Sequence, residues 1–183
     1  MHRQSRRLRV SLFCLVASSL WALPAERAAA QGGELGVHAS YSNITGGTWG
    51  LGARGAYNLP AGGSLFQIQG TGDLYFPDCS GIGSCDLWDF QINAVFFLTR
   101  QRQYEPYLGG GVSFQGASLT GAIVADDTFI GPVAFIGTTL GFWGRAEPFV
   151  EGKWLFKSGD AMPTQFVLQF GMVFELGRPT DAY

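Results

Sequence analysis

His38 and Ser40 stand two residues apart in Val37-His-Ala-Ser40. On an extended strand that spacing puts both side chains on one face. An imidazole beside a hydroxyl, with a carboxylate to orient the ring, is the arrangement that activates serine for acyl transfer. No Asp or Glu occurs between residues 35 and 72, so the third group is missing locally. A second set of candidates is ionic: Arg54, Asp73, Asp89, Glu151, Lys153 and Glu175. Set inside a narrow barrel, such groups either pair into a network or line a conducting path. Cys79 and Cys85 bracket Ser-Gly-Ile-Gly-Ser and suit a short disulfide loop. Asp126-Asp127 offers paired carboxylates for a divalent cation, although a solvated turn is the ordinary reading of two adjacent acids. Asn43-Ile-Thr45 fits a glycosylation pattern that three residues match often by chance.

What these residues do depends on the elements that hold them. The chain has 183 residues, of which 14% are charged, 14% aromatic and 27 are Gly. Few charges and many aromatics exclude a disordered chain. Abundant glycine argues against a helical bundle, because glycine destabilises helix interiors. A formal net charge of −2 excludes a basic nucleic-acid binder.

Residues 1–30 form a secretory signal peptide. Arg3, Arg6, Arg7 and Arg9 precede an apolar run over 10–23, and Ala28-Ala-Ala30 supplies an A-x-A cleavage site, with the cut expected after Ala30. The run is shorter than the ~20 residues that a membrane-spanning helix needs. Cys14 follows Phe13, not the small residue a lipidation signal prefers. The signal takes five of the twelve basic residues (3, 6, 7, 9, 27) and one of the fourteen acids (Glu26), leaving seven against thirteen, a net of −6. His38 is then the one remaining histidine, so no metal site is expected, and export favours a Cys79–Cys85 disulfide.

Period two runs through residues 31–183, which read as a single domain. From Trp88 to Leu98 the even positions are Trp88, Phe90, Ile92, Ala94, Phe96 and Leu98, against Asp89, Gln91, Asn93, Val95 and Phe97. From Phe166 to Leu176 the even positions are all apolar, against Val167, Gln169, Gly171, Val173 and Glu175. Such alternation is a β-strand with two unlike faces. Eight strands are expected, at about 34–43, 46–59, 64–77, 86–99, 104–117, 128–143, 146–157 and 164–176. The facing of the stretch from Phe129 to Phe142 is ambiguous. The strands are long for a soluble sheet, and their lengths match tilted membrane strands of about 9–11 residues. Short turns at one end alternate with longer connections at the other, Asp78–Cys85, Ser118–Asp127 and Ser158–Pro163, with only Asn43-Ile-Thr45 short on that side. That is the layout of an outer-membrane barrel. Tyr104-Glu-Pro-Tyr107 and Ala146-Glu-Pro-Phe149 each open a strand after a turn, a weak repeat that common turn chemistry accounts for.

The polar faces decide which side meets lipid. A soluble barrel should be rich in Lys and Glu outside. Here the polar positions are Gln67, Gln69, Gln91, Asn93, Gln169, Ser113 and Thr71 with charges of mixed sign, and residues 31–183 hold only Lys153 and Lys157. Such a face suits a narrow lumen of paired amides and ions. The apolar face then meets lipid, with Trp49, Phe76 and Trp88 in a belt near the loops and Tyr57, Tyr107 and Phe174 near the turns. The expected fold is an all-β, eight-stranded, antiparallel, up-and-down transmembrane β-barrel. In eight strands the lumen is just wide enough for side chains to fill. Arg54, Asp73, Asp89, Glu151, Lys153 and Glu175 are therefore expected as a lumen ion network, and His38 and Ser40 as lumen residues that are only weak catalytic candidates.

Glu105-Pro-Tyr-Leu-Gly-Gly-Gly-Val-Ser113, Glu147-Pro-Phe-Val-Glu-Gly-Lys-Trp154 and the Phe166–Leu176 strand resemble the small outer-membrane β-barrel domain proteins of Gram-negative bacteria, the OmpA/OmpX-like, porin-like barrels. The resemblance implies an outer-membrane location, contact with membrane lipid and lipopolysaccharide, and recognition by the barrel insertion machinery. It implies a monomer with no cofactor. A terminal aromatic usually serves as the insertion signal, and either Phe174 or Tyr183 fills that part here. Family members are structural, adhesive, binding or enzymatic. The resemblance therefore implies no one activity, and the role expected here is structural or surface-interacting. The alternatives are a lipid A deacylase or acyltransferase, and a secreted soluble calyx for a small apolar ligand. The deacylase pattern places its His-x-Ser in the second half of the chain, where this sequence has no histidine.

Overall fold

A computed structural model describes residues 32–43, 47–59, 65–77, 84–100, 103–120, 125–141, 146–156 and 164–176. They form eight strands: β1 Gly33–Ser42, β2 Thr48–Asn58, β3 Phe66–Tyr75, β4 Ser84–Phe97, β5 Glu105–Thr120, β6 Ala125–Thr139, β7 Ala146–Leu155 and β8 Gln165–Leu176. Each strand pairs antiparallel with its sequence neighbour, and β1 pairs with β8, so the sheet closes. Closure gives every strand a paired neighbour on both sides over the middle of the barrel, which is what a spanning sheet requires.

The register fixes the barrel's shape. Paired residues can be followed around the wall from Tyr107 through Gly137, Glu151, Gln169, Ser40, Gly50, Tyr75 and Leu87 to Ala117. The circuit leaves β5 at residue 107 and returns at residue 117, a shear of ten residues. At ~3.3 Å per residue and ~4.8 Å between strands, that shear tilts eight strands by about 40°. Because the shear is even, alternation is preserved around the whole circuit. One face of every strand points inward.

The outward face is apolar and exposed: Leu51 is 61% accessible, Ile68 47%, Ile92 52%, Ile136 54% and Phe170 46%. Trp88 and Phe96, both outward on β4, are eight residues apart, about 20 Å along the tilted axis. That separation fits an apolar band about 25 Å tall with aromatics towards both rims. Trp49 and Phe76 stand at the loop end, and Tyr57 and Phe174 at the turn end. Tyr107 departs from the expected belt. It points into the lumen and is 2% accessible, as its parity with Ser113 and Gln115 requires.

Three local expectations are corrected. The stretch expected as the loop Ser118–Asp127 is strand up to Thr120 and again from Ala125, because β5 and β6 go on pairing to Leu119↔Ala125. By contrast β7 leaves β6 at Val133↔Leu155, so β4, β5 and β6 form a taller wall on the loop side. β6 ends at Thr139, short of the expected 143. Its ambiguous facing resolves with Val133 and Phe135 inward and Ile130, Pro132, Ala134 and Ile136 outward. The interior is consequently not polar throughout. Val95, Phe97, Tyr107, Val133, Phe135, Leu155 and Val167 form an apolar cluster on the wall from β4 to β8.

Candidate functional site

His38 and Ser40 acquire the carboxylate that their neighbourhood in sequence lacks. It comes from β3. His38 pairs with Gly52 on β2, and Gly52 pairs with Asp73. A Cβ at Gly52 would collide with both the imidazole Nε2 and the Asp73 carboxylate. Glycine at 52 is therefore what lets the two groups meet across the intervening strand. Asp73 Oδ1 accepts from His38 Nε2 at 2.8 Å and from Ser40 Oγ at 2.5 Å. Gln169 Nε2 donates to both carboxylate oxygens at 3.1 Å. Acyl-transfer chemistry needs the hydroxyl to donate to the imidazole and the imidazole to the carboxylate. Here the serine donates to the carboxylate directly, sharing its acceptor with the histidine, and Ser40 is 0% accessible. The trio is gathered around one carboxylate and is not arranged as a nucleophile and base, and the buried His38 Nδ1 has no hydrogen-bond partner among the described residues.

The ionic candidates on β2, β4 and β7 meet across the lumen. Glu151 lies 3.1 Å from Lys153 Nζ and 3.6 Å from the Arg54 guanidinium. It also accepts from the Tyr107 hydroxyl at 2.8 Å, and that hydroxyl accepts from Arg54 at 3.3 Å. The Arg54 guanidinium lies 3.6 Å from the centre of the Phe149 ring. Lys153 reaches across to donate to Gln91 Oε1 at 3.1 Å. Gln91 in turn donates to Asp89 at 2.6 Å, and Ser113 does likewise at 2.6 Å. Nearer the loop end, Gln115 on β5 and Gln165 on β8 exchange amide contacts at 3.3 and 3.4 Å. The lumen is thus crossed at successive heights by Arg54 with Tyr107 and Glu151, by Lys153 with Gln91, and by the glutamine pair. Buried charges are tolerated in such a place only when paired and hydrogen-bonded.

Glu175 is partly buried near the turn end of β8 and pairs in register with Glu34. Glu34 lies 3.9 Å from Arg100, which donates to Asn58 at 2.8 Å and stacks 4.0 Å from the centre of the Phe97 ring. The sequence placed Gln91 and Gln169 on the lumen face but gave no part to Arg100 or to the Gln115–Gln165 pair, and it set Tyr107 in the outer belt. Parity puts Tyr107, Gln115 and Gln165 inside as well, but it does not say which strands face one another.

Cys79 lies outside the described residues. Cys85 is in β4 opposite Leu119, and its side chain is outside the description, as are those of Asp126 and Asp127 in β6. The Asn43 amide oxygen accepts from the Phe166 backbone N–H at 2.9 Å, so that side chain caps the end of β8. Phe174 is outward and 44% accessible, while Tyr183 lies outside the described residues. Among the described residues no group of three His, Cys, Asp or Glu is placed to hold a metal ion.

No protein-family model and no curated protein matches this sequence. Solved structures do. Neisserial surface protein A matches with a TM-score of 0.59 at 11% identity, over 80% of this chain and 96% of that one. Ail, the attachment invasion locus protein of Yersinia pestis, matches at 0.56 and 10% identity, over 79% and 97%. The outer membrane protein OprG of Pseudomonas aeruginosa matches at 0.54 and 9% identity, over 81% and 97%. The fold of this chain is that of the small eight-stranded outer-membrane β-barrels.

Proposed function

We propose that this chain is exported, loses residues 1–30, and resides in a bacterial outer membrane as a non-enzymatic barrel with a structural or surface-interaction role. The observation that carries this reading is the occupied lumen. Arg54, Lys153, Glu151, Asp89 and Asp73 are buried between apolar and amide side chains, each with a partner. A path for solutes would have to break those contacts at each height. The surfaces left to meet other molecules are the outward apolar band, suited to lipid, and the loop end with the taller β4–β6 wall. A soluble calyx is disfavoured, since it would put exposed Leu51, Ile92 and Phe170 in water. A lipid-modifying enzyme is disfavoured because His38 and Ser40 face the lumen and are not set up for proton transfer. The test uses full-length protein expressed with its signal and recovered from membranes. Unheated and boiled samples should migrate differently on a detergent gel, and folded protein in planar bilayers should give no stable single-channel currents. A soluble, heat-insensitive product would remove the membrane assignment, and steady currents would remove the sealed lumen.

A further inference from the structure

At the turn end the lumen is crossed by a side chain that does not belong to the barrel wall. Arg100 lies two residues beyond the last ladder bond of β4, from the Leu98 N–H to the Pro106 carbonyl at 2.9 Å. Its guanidinium rests 4.0 Å from the centre of the buried Phe97 ring. From there it reaches past β3. It donates to Asn58 Oδ1 at the end of β2 at 2.8 Å and lies 3.9 Å from Glu34 at the start of β1. Eight strands at this shear enclose a backbone ring about 16 Å across, so one extended arginine covers much of the opening. The receiving end is fixed. Asn58 Nδ2 donates to the Gly32 carbonyl at 2.6 Å, and Gln67 Nε2 approaches Asn58 Oδ1 at 3.5 Å. The hold on Arg100 is lighter. Its side chain is 17% accessible and that of Glu34 11%, and an ion contact so near water is worth little. One hydrogen bond and the ring stacking do most of the holding. Closure also leaves buried groups unserved. Arg100 Nε, Gln69 Oε1 and Asn93 Oδ1 have no hydrogen-bond partner among the described residues. Gln69 and Asn93 pair in register one inward position above Gln67, and each is 2% accessible. Such groups cost free energy that contact with water relieves.

We propose that Arg100 is a latch over the turn-side mouth, with a closed and an open position. Closed, it lies on Phe97 with its guanidinium on Asn58, and the lumen is dry from that end. Open, the guanidinium turns out into water. The mouth then admits small water-borne solutes to a polar vestibule lined by Gln67, Gln69 and Asn93. Amide oxygens without partners make that vestibule suited to small hydrogen-bond donors. The layer of Arg54, Tyr107 and Glu151 lies above it and shares no contact with Arg100, so it stays tied when the latch opens and the vestibule is blind. The proposal rests on the reading of an occupied lumen.

The experiment uses the full chain, folded as judged by its gel shift on boiling, with one of two reporter thiols. Gln69→Cys lies just above the latch, and Ser40→Cys lies beyond the middle layer. A small, water-soluble thiosulfonate is added, and mass spectrometry of the peptide carrying each reporter gives its labelling rate. With Arg100 in place both reporters should label slowly. Arg100→Ala should speed labelling at 69 by about ten- to a hundredfold, the factor that a lost hydrogen bond to a charged group corresponds to, and leave 40 slow. Arg100→Lys keeps a charge near Glu34 but loses the planar fork and the stacking, and should fall between. If Arg100→Ala does not fold, Asn58→Ala removes the receiving end and should give the same selective increase. An unchanged rate at 69 overturns the latch, and so does an equal increase at 40, which marks general loosening; in both cases slow labelling of the unaltered background leaves the occupied lumen intact. Fast labelling at both positions with Arg100 in place overturns the latch and the occupied lumen together.

Discussion

Glu151→Ala tests whether the lumen is dry and tied. The carboxylate is 1% accessible and is shared by Lys153 at 3.1 Å, Arg54 at 3.6 Å and the Tyr107 hydroxyl at 2.8 Å. At an effective dielectric of about 20, each ion contact is worth roughly 5 kcal/mol before desolvation is charged against it. Removing the carboxylate leaves two buried cations without it, and the expected net loss is about 3–5 kcal/mol, a factor of about a hundred to several thousand in the folding equilibrium. Glu151→Gln, which keeps an acceptor for Tyr107 but not the charge, should lose an intermediate amount. The exchange Glu151→Lys with Lys153→Glu re-forms the pair if β7 is considered alone. Its neighbours decide otherwise: residue 151 faces Arg54 and residue 153 faces the Gln91–Asp89 side. The double exchange should therefore be no more stable than Glu151→Ala. The assay is denaturant-induced unfolding in lipid vesicles, followed by tryptophan emission and by the gel shift on boiling. A folded Glu151→Ala barrel within about 1 kcal/mol of the unaltered protein would refute the reasoning, since only water or salt in the lumen could screen the loss.

Ile92 is outward and near mid-height, so Ile92→Arg should cost about 2–4 kcal/mol, and a lipid-borne quencher should reach a probe at 92 better than one at 91; the reverse order would invert the facing. Gly171→Ala should impair folding, because its Cβ would collide with the Val37 carbonyl and His38, whereas Gly70→Ala, whose Cβ meets nothing within 4 Å, should be close to neutral. Comparing the two by the same unfolding assay checks the register of β8 against β1. Cys79 and Cys85 should be disulfide-bonded in exported protein, with a small to moderate effect on stability because the closed loop is short. Mass spectrometry finding two free thiols would count against that pairing.

Facing, strand number and closed antiparallel order were legible along the chain because strand alternation is local. Each residue's side is set by its immediate neighbours, and long unlike-faced strands in a low-charge, glycine-rich sequence have few other ways to fold. Where both faces are apolar, that signal fails. Val133 and Phe135 point inward opposite Ile130 and Ile136, and only their pairing with Gly111 and Gly109 on β5 settles it. Tyr107 was misread for the related reason that an aromatic near a strand end suits either a membrane belt or a lumen. The partners of the candidate groups were out of reach altogether. Asp73 meets His38 from 35 residues away because Gly52 leaves room between their strands. Lys153 finds Gln91, 62 residues earlier, across the barrel. Which inward residues share a height depends on the ten-residue shear, and shear belongs to the closed circuit of eight strands. The polar members of the inward set were thus readable along the chain, while the closed barrel decided the apolar ones and which members touch.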